Sequence, residues 1–164
     1  MPLPDAEALC AELVKELRSV VTPETAMVGI HTGGAWLAER LHRELGLKLP
    51  LGRLDISFYR DDYHKSGLHK SVKASRIPFD AAGRHILLVD DVLYTGRTVR
   101  AAMNELFDYG RPESISLVVL VDRGERQLPI CPQYCGATHA VPKGAMLRLR
   151  RDDRGQLALR LDDA

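Results

Sequence analysis

Apolar residues recur at three- and four-residue steps from Asp5 onward, at Ala6, Leu9, Cys10, Leu13, Val14 and Leu17. That period predicts an amphipathic helix laid against the core. Met27 to Ile30 is a short apolar run that meets Thr32, Gly33 and Gly34, and then a stretch with Trp36, Leu37, Leu41 and Leu45 at helical spacing. It reads as strand, tight loop and helix. Leu54, Ile56 and Phe58 alternate with Asp55, Ser57 and Tyr59, the two-residue period of a strand with one face buried, ending at Arg60. Ile86 to Val89 and Leu117 to Val121 are unbroken apolar runs, as expected of strands covered on both faces of a parallel sheet. Between them Val99, Ala102, Met103, Leu106 and Phe107 trace the apolar face of a helix, with Gly110 and Pro112 as its stop. Alternation from Met146 to Arg150 and from Gln156 to Leu161, about a turn at Asp152, Asp153, Arg154 and Gly155, predicts a C-terminal hairpin.

Strands alternating with helices imply an α/β fold: a central, mostly parallel sheet flanked by helices. Ligands in such sheets bind beyond the carboxyl ends of the strands. The 164 residues and their 45% hydrophobic content suit one domain, 1–164, with a single core. No apolar run is long enough to cross a bilayer, and the opening residues mix Asp5, Glu7, Glu12, Lys15 and Glu16 among the apolar ones, unlike a signal peptide. Three cysteines, Cys10, Cys131 and Cys135, leave an odd thiol and no disulfide framework, so the expected location is cytoplasmic. Cys131 and Cys135 lack a second pair or a suitable histidine and read as ordinary thiols rather than a zinc site. Lys and Arg total 23 against 22 Asp and Glu, a balance without the strong positive field of a dedicated nucleic-acid binder.

The chemistry gathers after the Ile86 to Val89 run, where the chain reads Asp90, Asp91, Val92, Leu93, Tyr94, Thr95, Gly96, Arg97, Thr98 and enters a helix. The first-turn amides of a helix lack internal partners and carry the positive end of its dipole, so a phosphate there meets several donors. Thr95 and Thr98 add hydroxyls, and Gly96 permits a close backbone approach. Two carboxylates ahead of such a cradle suit ribose hydroxyls or a cation rather than the phosphate itself. Either half alone also describes a solvated turn with an N-cap; it is their combination that points to a ligand. The segment is neither a Walker loop nor a dinucleotide glycine fingerprint.

The segment from His85 to Ala102 resembles the 5-phosphoribosyl-1-pyrophosphate (PRPP) motif of the type I phosphoribosyltransferases. More narrowly, it resembles the PyrR-type pyrimidine operon regulators that are also uracil phosphoribosyltransferases. Val28, Gly29, Ile30 with Thr32, then Asp55 to Asp62, and Leu120 to Gly124 extend the similarity over about residues 26 to 142. The resemblance implies the type I phosphoribosyltransferase fold with a mobile hood at about 60–76 and conversion of uracil and PRPP to UMP and pyrophosphate, with Mg²⁺ accompanying PRPP. Asp90 and Asp91 would hold the ribose hydroxyls, and Tyr94 to Thr98 would wrap the 5′-phosphate, with Arg97 adding charge. Thr32 and Gly33 would form the pyrophosphate loop, in which the family commonly has a cis peptide. The family usually has Arg after that Thr; Gly33 stands in its place, and restoring Arg there is expected to raise turnover by replacing a lost cation.

By the same resemblance Arg60 would be the leading catalytic residue of the hood. Residues 60–76 contain five Lys or Arg and two Asp, a net excess of three positive charges, which suits pyrophosphate. Arg123 beside Gly124 would belong to the base-binding loop, with Val141 nearby; Arg123 fits a structural role equally well. His31 fits contact with ligand or packing, and Trp36 is read as core. The regulators also bind a messenger RNA leader and sense uridine nucleotides, and the family associates as dimers or higher assemblies. Here Arg126 keeps one basic position of the RNA surface, while Cys131 and Ala137 stand where Arg and Lys are expected. RNA binding is therefore a weaker expectation than PRPP binding.

Overall fold

The computed structural model describes residues 2–56 and 75–163. Arg60 and the expected hood up to residue 74 lie outside them. Helix α1 (Ala6–Leu17) begins at Asp5, whose side chain accepts from the amides of Glu7 and Ala8, and buries Ala6, Cys10, Leu13, Val14 and Leu17. Strand β1 (Ala26–Ile30) leads into α2 (Gly33–Leu45), and β2 (Gly52–Leu54) follows. Then come β3 (His85–Leu93), α3 (Arg97–Leu106) with a short 3₁₀ turn (Phe107–Tyr109), β4 (Ser114–Asp122), β5 (Tyr134–Thr138) and the hairpin β6 (Ala145–Arg151) and β7 (Leu157–Asp163).

Five strands form one parallel sheet in the order β2-β1-β3-β4-β5, and the hairpin is a separate antiparallel pair. Successive residues of the central strands feed opposite layers, which is why they read as unbroken apolar runs. Met27, Leu87, Val89, Val118 and Leu120 pack with α1, α2 and the hairpin, whereas Val28, Ile86, Leu88, Leu117 and Val119 pack with Val99, Ala102 and Leu106 of α3. Leu147, Leu149, Leu157 and Leu159 place the hairpin in the first layer. Arg40 fastens it there, donating to both oxygens of Glu7 at 3.0 and 2.7 Å and to the Gly155 carbonyl at 2.9 Å. Trp36 is only partly buried, and the Arg151 guanidinium stands 5.1 Å from its ring centre, a cation–π contact rather than plain core.

Several elements differ from their sequence reading. Of the strand expected from Leu54 to Tyr59, residues 57–59 lie outside the described residues; β2 is Gly52–Leu54, and Asp55 is buried like Ile56, so the described part has no exposed face. Arg53, in the middle of β2, exchanges backbone hydrogen bonds of 2.8 and 2.7 Å with Arg76, so the chain is back beside β2 at that residue. Phe107 is 56% exposed because α3 stops at Leu106 and the 3₁₀ turn rotates it outward. Strand β5 had no periodic signal; its Tyr134–Thr138 residues are mostly half-buried at the sheet edge.

Glycines set the spacing between layers. A Cβ on Gly34 would stand 2.7 Å from the Val89 carbonyl oxygen and 2.9 Å from Asp90 Cα, and one on Gly29 would stand 2.7 Å from Ala38 Cβ. The first turn of α2 therefore rests on the backbone of β1 and β3. Gly34→Ala is expected to cost about 1–3 kcal/mol by overpacking, read as a lower urea midpoint with an unchanged slope.

Candidate functional site

The carboxyl ends of β1 and β3 and the two helices that follow them converge on one edge of the sheet. The peptide His31–Thr32 is cis, and α2 starts at once, so Gly33 and Gly34 lie in its first turn rather than in a preceding loop. Thr32 makes no side-chain capping bond, and that turn contains no acidic residue of its own. The His31 amide donates to the Leu54 carbonyl at 2.8 Å, which ties the loop to β2.

Strand β3 runs four residues further than its apolar run, so the acidic pair is part of the strand and not of a loop. Its pairing with β4 continues through Asp90 with Val119, Val92 with Val121 and Leu93 with Asp122. The strict two-residue alternation ends here: Val92 and Val121 pack in the same layer as Val89 and Leu120. Asp90 is 3% exposed, and its Oδ1 accepts from the Asp91 amide at 2.9 Å. Asp91 is half-buried, and its carboxylate lies against Gly33: a Cβ there would overlap Oδ2 and stand 2.6 Å from Cγ. A side chain at 33 would thus meet the Asp91 carboxylate before it could add a cation there.

The loop between β3 and α3 contracts to Tyr94, Thr95 and Gly96. Gly96 caps α3 at φ 94°, a left-handed conformation favouring glycine, and a Cβ there would also meet Ile130 at 3.0 Å. Thr95 is buried; its hydroxyl accepts from the Arg97 amide at 3.2 Å. Thr98 is half-buried in the first turn of α3, which again contains no acidic side chain. Arg97 is exposed, and its Nε donates to Gln127 Oε1 at 3.1 Å. The arrangement offers two helix N-termini, each able to receive an anion, on either side of an acidic strand end.

The segment after β4 holds this loop from below. Leu93 O accepts from the Arg123 amide at 3.0 Å, and Thr95 O accepts from those of Gln127 and Leu128 at 2.9 and 3.1 Å. Arg126, read in the sequence only as a remnant of a basic surface, is the main clamp. It donates to both Asp122 oxygens at 3.0 and 2.6 Å, to Tyr94 O at 2.8 Å and to Ile130 O at 2.7 Å. Arg126 and the Gly124 amide hold the Asp122 carboxyl below its usual range, Arg126 foremost, against a smaller opposing effect of burial. The Asp122 partner is only four residues away, but the Tyr94 carbonyl, 32 residues back in the chain, is beyond any local spacing rule. Arg123 is turned inward at 6% exposure, its guanidinium 3.9 Å from the Tyr94 ring centre, with one nitrogen donating to Ala145 O at 3.3 Å and another 3.3 Å from Glu125. Its Nε is buried without a partner. Val141 is buried in the stretch from β5 to β6, the strand that Arg123 reaches.

The remaining candidates fall away from this edge or into packing. Burial raises the Cys10 thiol to about 11, which makes it inert as a nucleophile. Cys135 is raised by burial too, and its Sγ contacts Ala137 O at 3.2 Å.

A family model of the phosphoribosyl transferase domain matches residues 2–135. The chain is 50% identical over 161 residues to a Pseudomonas aeruginosa protein named Bifunctional protein PyrR, covering 96% of this chain and 90% of that one. A protein of the same name from Ralstonia nicotianae is 51% identical over 158 residues, covering 94% and 90%. Among solved structures, a hypoxanthine phosphoribosyltransferase from Staphylococcus aureus shares the fold with a TM-score of 0.66 at 22% identity, covering 83% of this chain and 73% of that one. A purine phosphoribosyltransferase from Pyrococcus horikoshii does so with 0.63 at 24%, covering 81% of each.

Removing the clamp tests its role. Arg126→Ala is expected to lower the unfolding free energy by about 2–3 kcal/mol, the range for hydrogen bonds to charged groups. The acid dependence has a definite sign, because a depressed carboxyl stabilises the fold above its unfolded pKa, near 4, and loses that contribution as pH falls through the lower folded value. Denaturation midpoints followed from pH 5 down to about pH 2 should therefore fall less steeply in Arg126→Ala than in the unsubstituted chain.

Proposed function

The chain belongs to the phosphoribosyltransferase family, within its PyrR group, and from that premise we propose that it transfers the phosphoribosyl group of PRPP to uracil, yielding UMP and pyrophosphate. The observation that carries this reading is the contact between the two subsites: an acidic strand end packed directly on the first turn of α2, one short loop away from the first turn of α3. PRPP presents the complementary order, with a pyrophosphate and a 5′-phosphate on either side of a ribose diol.

In this reading Asp91, and Asp90 behind it, hold the ribose hydroxyls. Val92 and Leu93 set the strand end, and Tyr94, Thr95, Gly96, Arg97 and Thr98 wrap the 5′-phosphate with first-turn amides and hydroxyls. Thr32 and Gly33 face the pyrophosphate. A uracil ring nitrogen attacks the anomeric carbon as its bond to pyrophosphate breaks, and the ribose ring carries positive charge in between. Fixed carboxylates beside the sugar favour that charge, and holding both reactants in line removes much of the entropic barrier. The base lies against the backbone of Arg123 and Gly124 with Val141 nearby; the Arg123 side chain, stacked on Tyr94, joins base and phosphate subsites instead of touching the base. Arg60 and the rest of the hood close over the reactants and exclude water.

Mg²⁺ is the expected companion of PRPP, and its charge neutralises the leaving pyrophosphate. The acidic pair suits ribose hydroxyls or such a cation, and no side chain is assigned as a direct metal ligand. The chain works as one domain, since the hairpin shares the core of α1 and α2. No helix among the described residues is long and apolar enough to cross a membrane; a cytoplasmic location and assembly as a dimer or higher oligomer follow the family. The relatives' designation as bifunctional supports a second role, binding of a messenger RNA leader under the control of uridine nucleotides. Against a strong RNA grip stands the internal commitment of Arg126 to Asp122 and Tyr94.

Labelled uracil incubated with PRPP and Mg²⁺ is expected to yield UMP, with other bases poor substrates. PRPP binding without turnover on any base would instead leave the regulator as the main role. Asp91→Asn is expected to weaken PRPP binding at least about tenfold, or ~1.4 kcal/mol, in calorimetry with the fold intact; unchanged affinity would remove the acidic pair from the site.

A further inference from the structure

We infer that Gly33 is a positioning residue for Asp91: the absent side chain at 33 is the space in which the Asp91 carboxylate lies, so that pyrophosphate loop and acidic strand end act as one matched unit. The functional half of this inference rests on the reading of the site as a PRPP site; the packing half does not.

The backbone gives no reason for glycine at this position. Gly33 is the first residue of α2 and is not among the glycines with positive φ. Its neighbour Gly34 is required by backbone, the Val89 oxygen and Asp90 Cα lying within 3 Å of a Cβ there. For Gly33 the three nearest obstacles are all atoms of the Asp91 side chain: Oδ2, Cγ at 2.6 Å and Cβ at 3.2 Å. Gly34 thus preserves the packing of helix on strand, and Gly33 preserves the place of one carboxylate.

That place has electrostatic meaning. The first turn of α2 has neither an acidic residue nor a side-chain cap of its own, so Asp91 brings the negative charge that favours a helix N-terminus from a different strand. An anion arriving at this turn meets the carboxylate first. Pyrophosphate docks when Asp91 is engaged by the ribose diol or screened by a cation, and the anion affinity of the loop is thereby tied to the same residue that orients the sugar. A side chain at 33 pushes the carboxylate away and uncouples the two.

A double-mutant cycle of Gly33→Ala and Asp91→Ala tests both halves, with thermal unfolding and titration of inorganic pyrophosphate in Mg²⁺ as readouts. Gly33→Ala alone obliges the Asp91 side chain to swing aside and is expected to lower the melting temperature by about 2 °C. In the Asp91→Ala background the same change should shift it by less than about 1 °C, because the remaining 3.2 Å contact with Cβ needs only a small adjustment. Pyrophosphate affinity is expected to fall at least about fivefold on Gly33→Ala in the native background and less than about twofold in the Asp91→Ala background. If Gly33→Ala alone does not fold, recovery of folding in the double variant carries the same meaning. Equal melting shifts in both backgrounds would overturn the matched pair. Coupled melting shifts with equal losses of pyrophosphate affinity would overturn its role in binding. Failure of the unsubstituted chain to bind either pyrophosphate or PRPP would count against the PRPP site and the binding half together, while the melting cycle would still decide the packing half.

Discussion

The seating of the first turn of α2 directly on the carboxyl end of β3 decides where the rest of the site can go. Gly29 and Gly34 let helix and sheet meet without intervening side chains, at distances where a single methyl group would collide with Ala38, the Val89 carbonyl or Asp90. Because the interior is close-packed, that contact is a fixed spacing rather than an adjustable one. It brings the cis peptide, the first turn of α2 and two carboxylates to one edge of the sheet. A wider spacing would leave the same residues as unrelated loop ends.

The opposite wall depends on charge rather than on close approach. The β3-to-α3 loop is only three residues; its Tyr94 and Thr95 carbonyls accept from Arg126, Gln127 and Leu128, and the last carbonyl of β3 accepts from Arg123, all from the segment after β4. With its carbonyls engaged from below, the loop presents the helix start on its outer side. Arg126 is tied in turn by Asp122, and Arg123 reaches β6 at Ala145, so the hairpin and the loop share a scaffold. The hairpin contributes to the site through this support, as well as through its share of the core.

Much of this was legible in the chain itself. The apolar runs at Met27 to Ile30, Ile86 to Val89 and Leu117 to Val121 reported doubly covered strands because they lie in the middle of the sheet, and the phrase from Asp90 to Thr98 reported the passage from strand to helix at the sheet edge. The limits of each element were less legible. Asp90 and Asp91 look like a strand's end because charge normally marks one, yet pairing with β4 carries the strand through them. Phe107 fits the helical period, but its exposure follows from the 3₁₀ turn, which hydropathy does not encode. Strand β5 was invisible because Tyr134 to Thr138 neither alternates nor forms an apolar run. Gly33 could be read as a lost cation only because the neighbour that fills its space is 58 positions away in the chain. Arg126 looked like surface because its bond to the Tyr94 carbonyl spans 32 positions, although Asp122 lies only four away.

The central claim is that one ligand bridges the start of α2 and the turn into α3. Backbone amide shifts recorded while PRPP and Mg²⁺ are added to the full chain test it directly. The account predicts that large changes concentrate at Thr32, Gly33 and Gly34 and at Asp91 to Thr98, and that both groups titrate with one dissociation constant. Changes confined to one of the two groups, or centred on α1 and β5, would contradict it.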